Sequence, residues 1–216
     1  MLSRRLQVAK PEVALTFDDG PAPIWTPRIL ALLSQHAAHA TFFVLGSQIE
    51  RHPGIVVAAA RAGDEIEDHG LTHRSLPSMA PKRITQELST TADLIEELTG
   101  ARPTFVRPPY GNLNGRVVAA AKALGMRVAL WTIDTRDWAN PGANVIARRA
   151  LQNLAPGDII LLHDGGGGRA QTVQAVARIL AALDARGYRA VTLHHLVQDA
   201  IQGEDPGPSA TASGCG

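Results

Sequence analysis

The chain has 216 residues, 45% of them hydrophobic, enough for one substantial core. Its 21 basic and 20 acidic side chains leave a formal charge of +1 without any dense Lys/Arg run, which argues against nucleic acid or an anionic membrane as the main partner. The only cysteine, Cys215, lies in the tail, so neither an intramolecular disulfide nor a cysteine metal site is available, and no apolar stretch is long enough to span a bilayer.

In chain order, Met1 to Lys10 carries Arg4 and Arg5 but no apolar segment behind them, and it reads as an N-terminal lead rather than a signal peptide. The protein is therefore expected in the cytoplasm, or as an exported domain whose export segment lies outside this chain. Residues 11–202 read as one domain. Residues 203–216 are rich in Gly, Pro, Ser and Ala and are expected to be a disordered tail with an inert Cys215.

Strands are expected at Val13–Phe17, Thr41–Leu45, Glu65–Glu67, Thr104–Val106, Arg127–Ile133, Asp158–Leu162 and Arg189–Thr192. Continuous apolar runs such as Ile159-Ile160-Leu161-Leu162 suit strands buried on both faces. Between them lie helical patterns. Ile84, Leu88, Ile95 and Leu98 repeat at helical spacing until Gly100, and Val173, Val176, Ala177, Leu180 and Leu183 do so until Gly187. Pro27, Pro53 and Pro81 fall where first helical turns would begin. This alternation implies a parallel α/β sheet, either a barrel or an open doubly wound sheet.

Reactive side chains gather just after the strands, where parallel-sheet folds place their chemistry. Asp18 and Asp19 end the first strand before Gly20-Pro21; strand alternation sends them in different directions, so they cannot share one job. His69 and His73 are four apart, a spacing that on a helical turn puts both imidazoles on one face, with Asp19 the natural third ligand of a shared metal. Arg107 precedes Pro108-Pro109 and reads as a guanidinium on a stiff extended segment or as a surface cation. Asp137-Trp138 reads as an orienting carboxylate beside an aromatic wall, or as a capping Asp beside a core Trp. His163 follows a buried strand, where packing and catalysis are both open to it. Gly165 to Gly168 match no P-loop and read as a flexible loop over the site.

The order Asp-Asp, His-x-x-x-His, Arg-x-Pro-Tyr, Asp-Trp, Leu-x-His, running from Val13 to His195, resembles the polysaccharide deacetylase family, also called carbohydrate esterase family four. The resemblance implies a distorted (β/α) barrel of about seven to eight units. It implies that Asp19, His69 and His73 hold a divalent metal, zinc first, with cobalt, nickel or manganese as alternatives. By the same resemblance Asp18 is the general base, Arg107 holds it, and the Tyr110 backbone N–H is the oxyanion donor. Asp137 orients His163, the general acid, while Trp138 and Leu161 wall the acetyl methyl.

The second motif departs from the family pattern, with Asp68 in place of Asn and Gly70 in place of Ser or Thr. Thr72 or Asp68 is expected to brace the loop instead, and the added Asp is expected to make the region more negative and favour cation retention. The leading function is removal of acetyl groups from N-acetylated sugars such as peptidoglycan or chitin-like chains, with O-acetyl esters as a further target. Deacylation of a small N-acyl metabolite is the alternative, and a catalytically silent sugar-binding relative a third reading. The oligomeric state is left open.

Overall fold

The computed structural model describes residues 1–203. Of the expected tail, 204–216, including Cys215, lies outside the described residues. In chain order the elements are β1 (Glu12–Asp18), α1 (Thr26–Gln35), β2 (Thr41–Val44), α2 (Gly46–Ile49), α3 (Pro53–Arg61), β3 (Glu65–Asp68), α4 (Pro81–Thr99), β4 (Phe105–Val106), α5 (Gly115–Ala123), β5 (Arg127–Val128), β6 (Ile133–Asp134), α6 (Ala143–Leu151), β7 (Ile159–His163), α7 (Ala170–Ala185), β8 (Arg189–Val191) and α8 (Leu193–Gly203). Pro27, Pro53 and Pro81 occupy the first turns of α1, α3 and α4, where the missing N–H is not needed. Gly100 closes α4 with φ 73°, a left-handed turn that a Cβ would penalise.

The strands form one parallel sheet in the order β5-β4-β3-β2-β1-β7-β6, with β8 added beside β1. β7 runs along one edge of β1 from Ala14 to Asp18, while the other edge is divided between β8 at Glu12–Ala14 and β2 at Thr16–Asp18. Helices cover the outer face, giving a distorted (β/α) barrel. No described helix is long and apolar enough to cross a membrane.

One expectation is corrected. The stretch Arg127–Ile133 is not one strand but two short ones at opposite ends of the sheet, β5 against β4 and β6 against β7. The reason lies in how the crossing backbone is satisfied: Leu130 N donates to the Leu2 carbonyl at 2.7 Å and Thr132 N to the Ile159 carbonyl at 2.9 Å. The N-terminal segment thus sits at the break between β5 and β6. Leu2, Leu6 and Val8 pack on the cluster that holds Phe43, Phe105, Ile159 and Leu196, and Leu6 N donates to the Gly157 carbonyl at 3.0 Å.

Alternation along the central strands sets the two faces. Val13, Leu15 and Phe17 join Ile29, Leu33, Val176 and Ile179 in the outer layer, and Phe17 stacks on Phe42 with ring centroids 5.2 Å apart. Ala14 belongs to the inner cluster. Thr16 and Asp18 follow on that inner side, where both meet Arg107. Parallel register sets Asp18 level with Phe43 of β2 and His163 of β7. The carboxyl end of the barrel therefore receives its polar groups from the pleat itself.

Gly157 tests the docking of the N-terminal segment. It has φ +85°, and a Cβ there would lie 1.8 Å from the Leu6 carbonyl oxygen. Gly157→Ala is expected to cost roughly 1–3 kcal/mol, read as a lower urea midpoint with an unchanged slope.

Candidate active site

The His69–His73 segment does not form the helical turn that its spacing suggested. β3 ends at Asp68, and the chain then bends through Gly70 at φ +84° and His73 at φ +58°. The bends bring the imidazoles to a common point by another route, their ring centroids 5.3 Å apart. His69 Nδ1 donates to the Arg107 carbonyl at 2.6 Å. A carbonyl can only accept, so the proton sits on Nδ1 and the Nε2 lone pair faces inward. His69 Nε2 lies 3.4 Å from Asp19 Oδ1, and His73 Nε2 lies 3.1 Å from the same oxygen.

Ligand atoms of Asp19, His69 and His73 all fall within 4.8 Å of one another. Asp19 Oδ1 is buried and makes no aligned hydrogen bond. An orphaned carboxylate oxygen facing two imidazole nitrogens, one of them in a fixed tautomer, is a donor set that fits a divalent cation. Burial alone would raise the Asp19 pKa, but the approach of His69 and His73 outweighs it and holds the carboxyl well below its usual range. Asp19 itself has φ 74°, a left-handed turn that ends the strand pleat after Asp18.

The loop is braced by both residues suggested by the sequence and by one that sequence reading missed. Asp68 Oδ1 accepts from Gly70 N at 2.6 Å. The Thr72 hydroxyl donates to Glu87, a buried residue of α4, at 3.0 Å; Glu87 Oε2 also accepts from Leu71 N at 3.2 Å and Thr72 N at 2.9 Å. The one available signal was a Glu inside the apolar repeat of α4. The expectation that Asp68 makes the region more negative is opposed by its environment. Asp68 is fully buried, and burial raises its pKa well above the ordinary carboxylate range, with the Glu87 charge pushing the same way.

Arg107 is not a surface cation. It is fully buried, its guanidinium 4.0 Å above the Phe43 ring. Nη1 donates to Asp18 Oδ1 at 2.7 Å and to the Thr16 hydroxyl at 2.8 Å; Nε and Nη2 donate to the carbonyls of Ala129 and Leu130 at 3.2 and 3.0 Å. Asp18 Oδ2 remains 3.8 Å from His69 Nε2. One carboxylate oxygen is thus held while the other faces the metal-ligand cluster.

Across the cavity, His163 Nδ1 donates to Asp137 Oδ1 at 2.8 Å. The other Asp137 oxygen accepts from His163 N at 2.9 Å and from the Thr172 hydroxyl at 2.8 Å, so this buried carboxylate is fixed on three sides. Burial opposes the protonated imidazole, but the Asp137 hydrogen bond and charge outweigh it and raise the His163 pKa.

These groups line a cavity of about 430 Å³. Asp18, His69, His73 and His163 face it, with Leu161 as an apolar wall and Tyr110 and Trp138 at the rim. Tyr110 takes φ 63° and is 64% exposed, with its ring 4.6 Å from that of His73, and Trp138 is 49% exposed, with the Arg136 guanidinium 5.6 Å over its ring, so both aromatics are in part accessible to a ligand. Trp131 and Asp134 also line the cavity, and sequence reading gave them no role there. A further correction concerns Gly165 to Gly168, expected as a loop over the site. A Cβ on Gly165 would lie 2.0 Å from the Asp19 carbonyl oxygen, and one on Gly166 would lie 2.4 Å from Asp19 Oδ2. These two glycines are packed against the Asp19 backbone and carboxylate, and buried Arg169 ties them down by donating to the Gly165 and Gly166 carbonyls at 2.7 and 3.2 Å.

Parallel barrels that gather carboxylates and imidazoles at one end in this way are suited to hydrolysis assisted by a divalent ion. Comparison narrows the class: the chain belongs to the polysaccharide deacetylase family, whose sequence profile matches residues 5–129. It is similar to a peptidoglycan-N-acetylglucosamine deacetylase of Bacillus cereus, 40% identical over 188 residues that cover 86% of this chain and 88% of the relative. A chitooligosaccharide deacetylase of Bradyrhizobium sp. is 36% identical, with 86% and 89% covered. The solved structure of the peptidoglycan deacetylase PdaC from Bacillus subtilis superposes with a TM-score of 0.84 at 35% identity, covering 91% of this chain and 94% of that one. The matched region is 38% of the length of the full PdaC protein. The family is metal-dependent, and Asp19, His69 and His73 are candidate ligands here.

Two outcomes test the supporting contacts. Glu87→Gln, which removes one charged acceptor from the loop, is expected to weaken divalent-metal binding about 10–100-fold in competition with a chelator. Asp137→Asn removes the charge that outweighs burial, so the His163 pKa should fall; imidazole NMR titration measures the shift, and any activity needing protonated His163 should lose its alkaline limb at lower pH.

Proposed function

We propose that this protein is a metal-dependent hydrolase that removes acetyl groups from N-acetylated sugars, with peptidoglycan as the leading substrate class. The observation that carries the reading is the convergence of Asp19, His69 and His73 beside a separately held Asp18, with Asp137-bound His163 lining the same cavity. Relatives named for peptidoglycan and chitooligosaccharide deacetylation cover most of the chain and supply the substrate class. They do not favour the small N-acyl metabolite.

Asp19, His69 and His73 are the residues to hold the ion, for which the imidazole-and-carboxylate set favours zinc over magnesium or calcium, with cobalt, nickel or manganese next. Bound there, it would supply Lewis acidity toward the acyl oxygen and lower the pKa of water. Asp18, kept in place by Arg107, takes the proton of the attacking water. The Tyr110 backbone N–H is the donor for the tetrahedral oxyanion, a contribution typically worth about 3–4 kcal/mol. Collapse of that intermediate needs a proton on the departing nitrogen. His163 supplies it from Nε2, its Nδ1–H anchored on Asp137. Leu161 and Trp138 enclose the acetyl methyl, and the exposed parts of Tyr110 and Trp138 suit contact with a sugar ring.

The reading is tested by acetate release from peptidoglycan and from chitooligosaccharides with zinc or cobalt added. Asp18→Asn should retain metal but lose about 10²–10⁴-fold in turnover, whereas His69→Ala should lose both metal and turnover. Full activity in Asp18→Asn would remove Asp18 as base, and bound metal without any hydrolysis would favour the silent sugar-binding reading.

A further inference from the structure

A second group of metal-competent side chains lies at the amino end of the barrel. Glu12 opens β1 and Asp18 closes it, so the two sites are about 20 Å apart at strand rise. His195 and Asp199 lie one helical turn apart on α8 and share a face. One ligand atom from each of Glu12, His195 and Asp199 falls within 4.8 Å of the others. His195 Nε2 is 3.2 Å from Glu12 Oε2 and 3.8 Å from Asp199 Oδ2.

What sets this group apart from an ordinary ion-pair cluster is Glu12. The residue is 1% exposed, yet its Oε1 has no hydrogen-bond partner among the described residues. A buried carboxylate oxygen left in that state is costly unless a cation completes it, and an ion beside His195, which Glu12 meets with Oε2, would do so by taking both carboxylate oxygens. The nearest side-chain cations do so poorly. Arg189 Nη1 is 3.7 Å from Oε1, beyond hydrogen-bond reach, on a side chain that is 70% exposed. Lys10 reaches Asp199 at 2.8 Å rather than Glu12, and its side chain is 59% exposed. Exposed pairs of this kind hold their partners weakly and can swing into water.

We propose that Glu12, His195 and Asp199 form a second divalent-cation site that fastens α8 to the central strand β1. Two carboxylates and an imidazole select zinc-class ions over calcium or magnesium, which prefer all-oxygen shells. His195 is 43% exposed, so water fills the remaining coordination position and the site exchanges its ion with solvent. Lys10 is its competitor: the ammonium occupies Asp199 until the ion displaces it.

The test titrates the metal-free full chain with zinc alone against a chromophoric chelator. Two binding events are expected. His195→Ala and the near-isosteric Asp199→Asn should each remove one of them and leave acetate release unchanged, while His69→Ala removes the other. Lys10→Ala should tighten the second site severalfold, because it deletes the competing cation. In His69→Ala protein, zinc should still raise the thermal midpoint, and the added His195→Ala substitution should abolish that rise. A single binding event in the unmodified chain, or two events that survive both His195→Ala and Asp199→Asn, would overturn the site. So would a Lys10→Ala protein whose second-site affinity does not increase.

Discussion

Arg107 is the residue on which the working end of the barrel depends. Its side chain joins Asp18 and Thr16 of β1 to the carbonyls that lead out of β5, and its own carbonyl sets the tautomer of His69. One residue thus orients both a carboxylate and an imidazole that must differ in role. A guanidinium buried this completely is tolerable only because each of its three nitrogens donates to an acceptor and Phe43 covers its face. Burial pulls its pKa down while Asp18 resists. Loss of either partner would strand a charge in the interior, typically at a cost of about 3–5 kcal/mol.

Around that pair the barrel sorts its acids by environment. Two imidazoles pull the Asp19 pKa down, while burial pushes that of Asp68, one residue before the first of them, up. Asp164, next to His163, is likewise pushed up to about 7 by burial, although Thr26 donates to it at 2.5 Å. His163 moves the other way from what burial demands because Asp137 faces it. Carboxyl groups of one chemical type are therefore pushed in opposite directions within a few residues of each other.

Much of this was legible in the chain. Apolar runs ending in Asp-Asp, Arg-Pro-Pro and His-Asp marked buried strands with reactive groups at their carboxyl ends, because strand burial and helix termination are local properties. Alternation alone suggested that Asp18 and Asp19 point apart, but the positive φ of Asp19 ends the strand pleat there, and both carboxylates approach His69 Nε2, at 3.8 and 3.4 Å. The ordered motifs then pointed to the polysaccharide deacetylase family.

What depends on neighbours distant in sequence was decided only by the tertiary structure. Arg127–Ile133 divides into two strands because Leu2 and Ile159 claim its backbone groups, and no periodicity within seven residues reports that. The His69–His73 spacing matched a helical turn, but the imidazoles meet through left-handed bends held by Glu87 from α4. Gly165 and Gly166 resemble a free loop until Asp19 is placed against them. The upward push on the Asp68 pKa is invisible until its burial is known. Residue type and period determine which side chains can do chemistry and on which side of a strand they lie. Burial, charge state and convergence arise from contacts across the fold, where the local dielectric and the available hydrogen-bond partners are set.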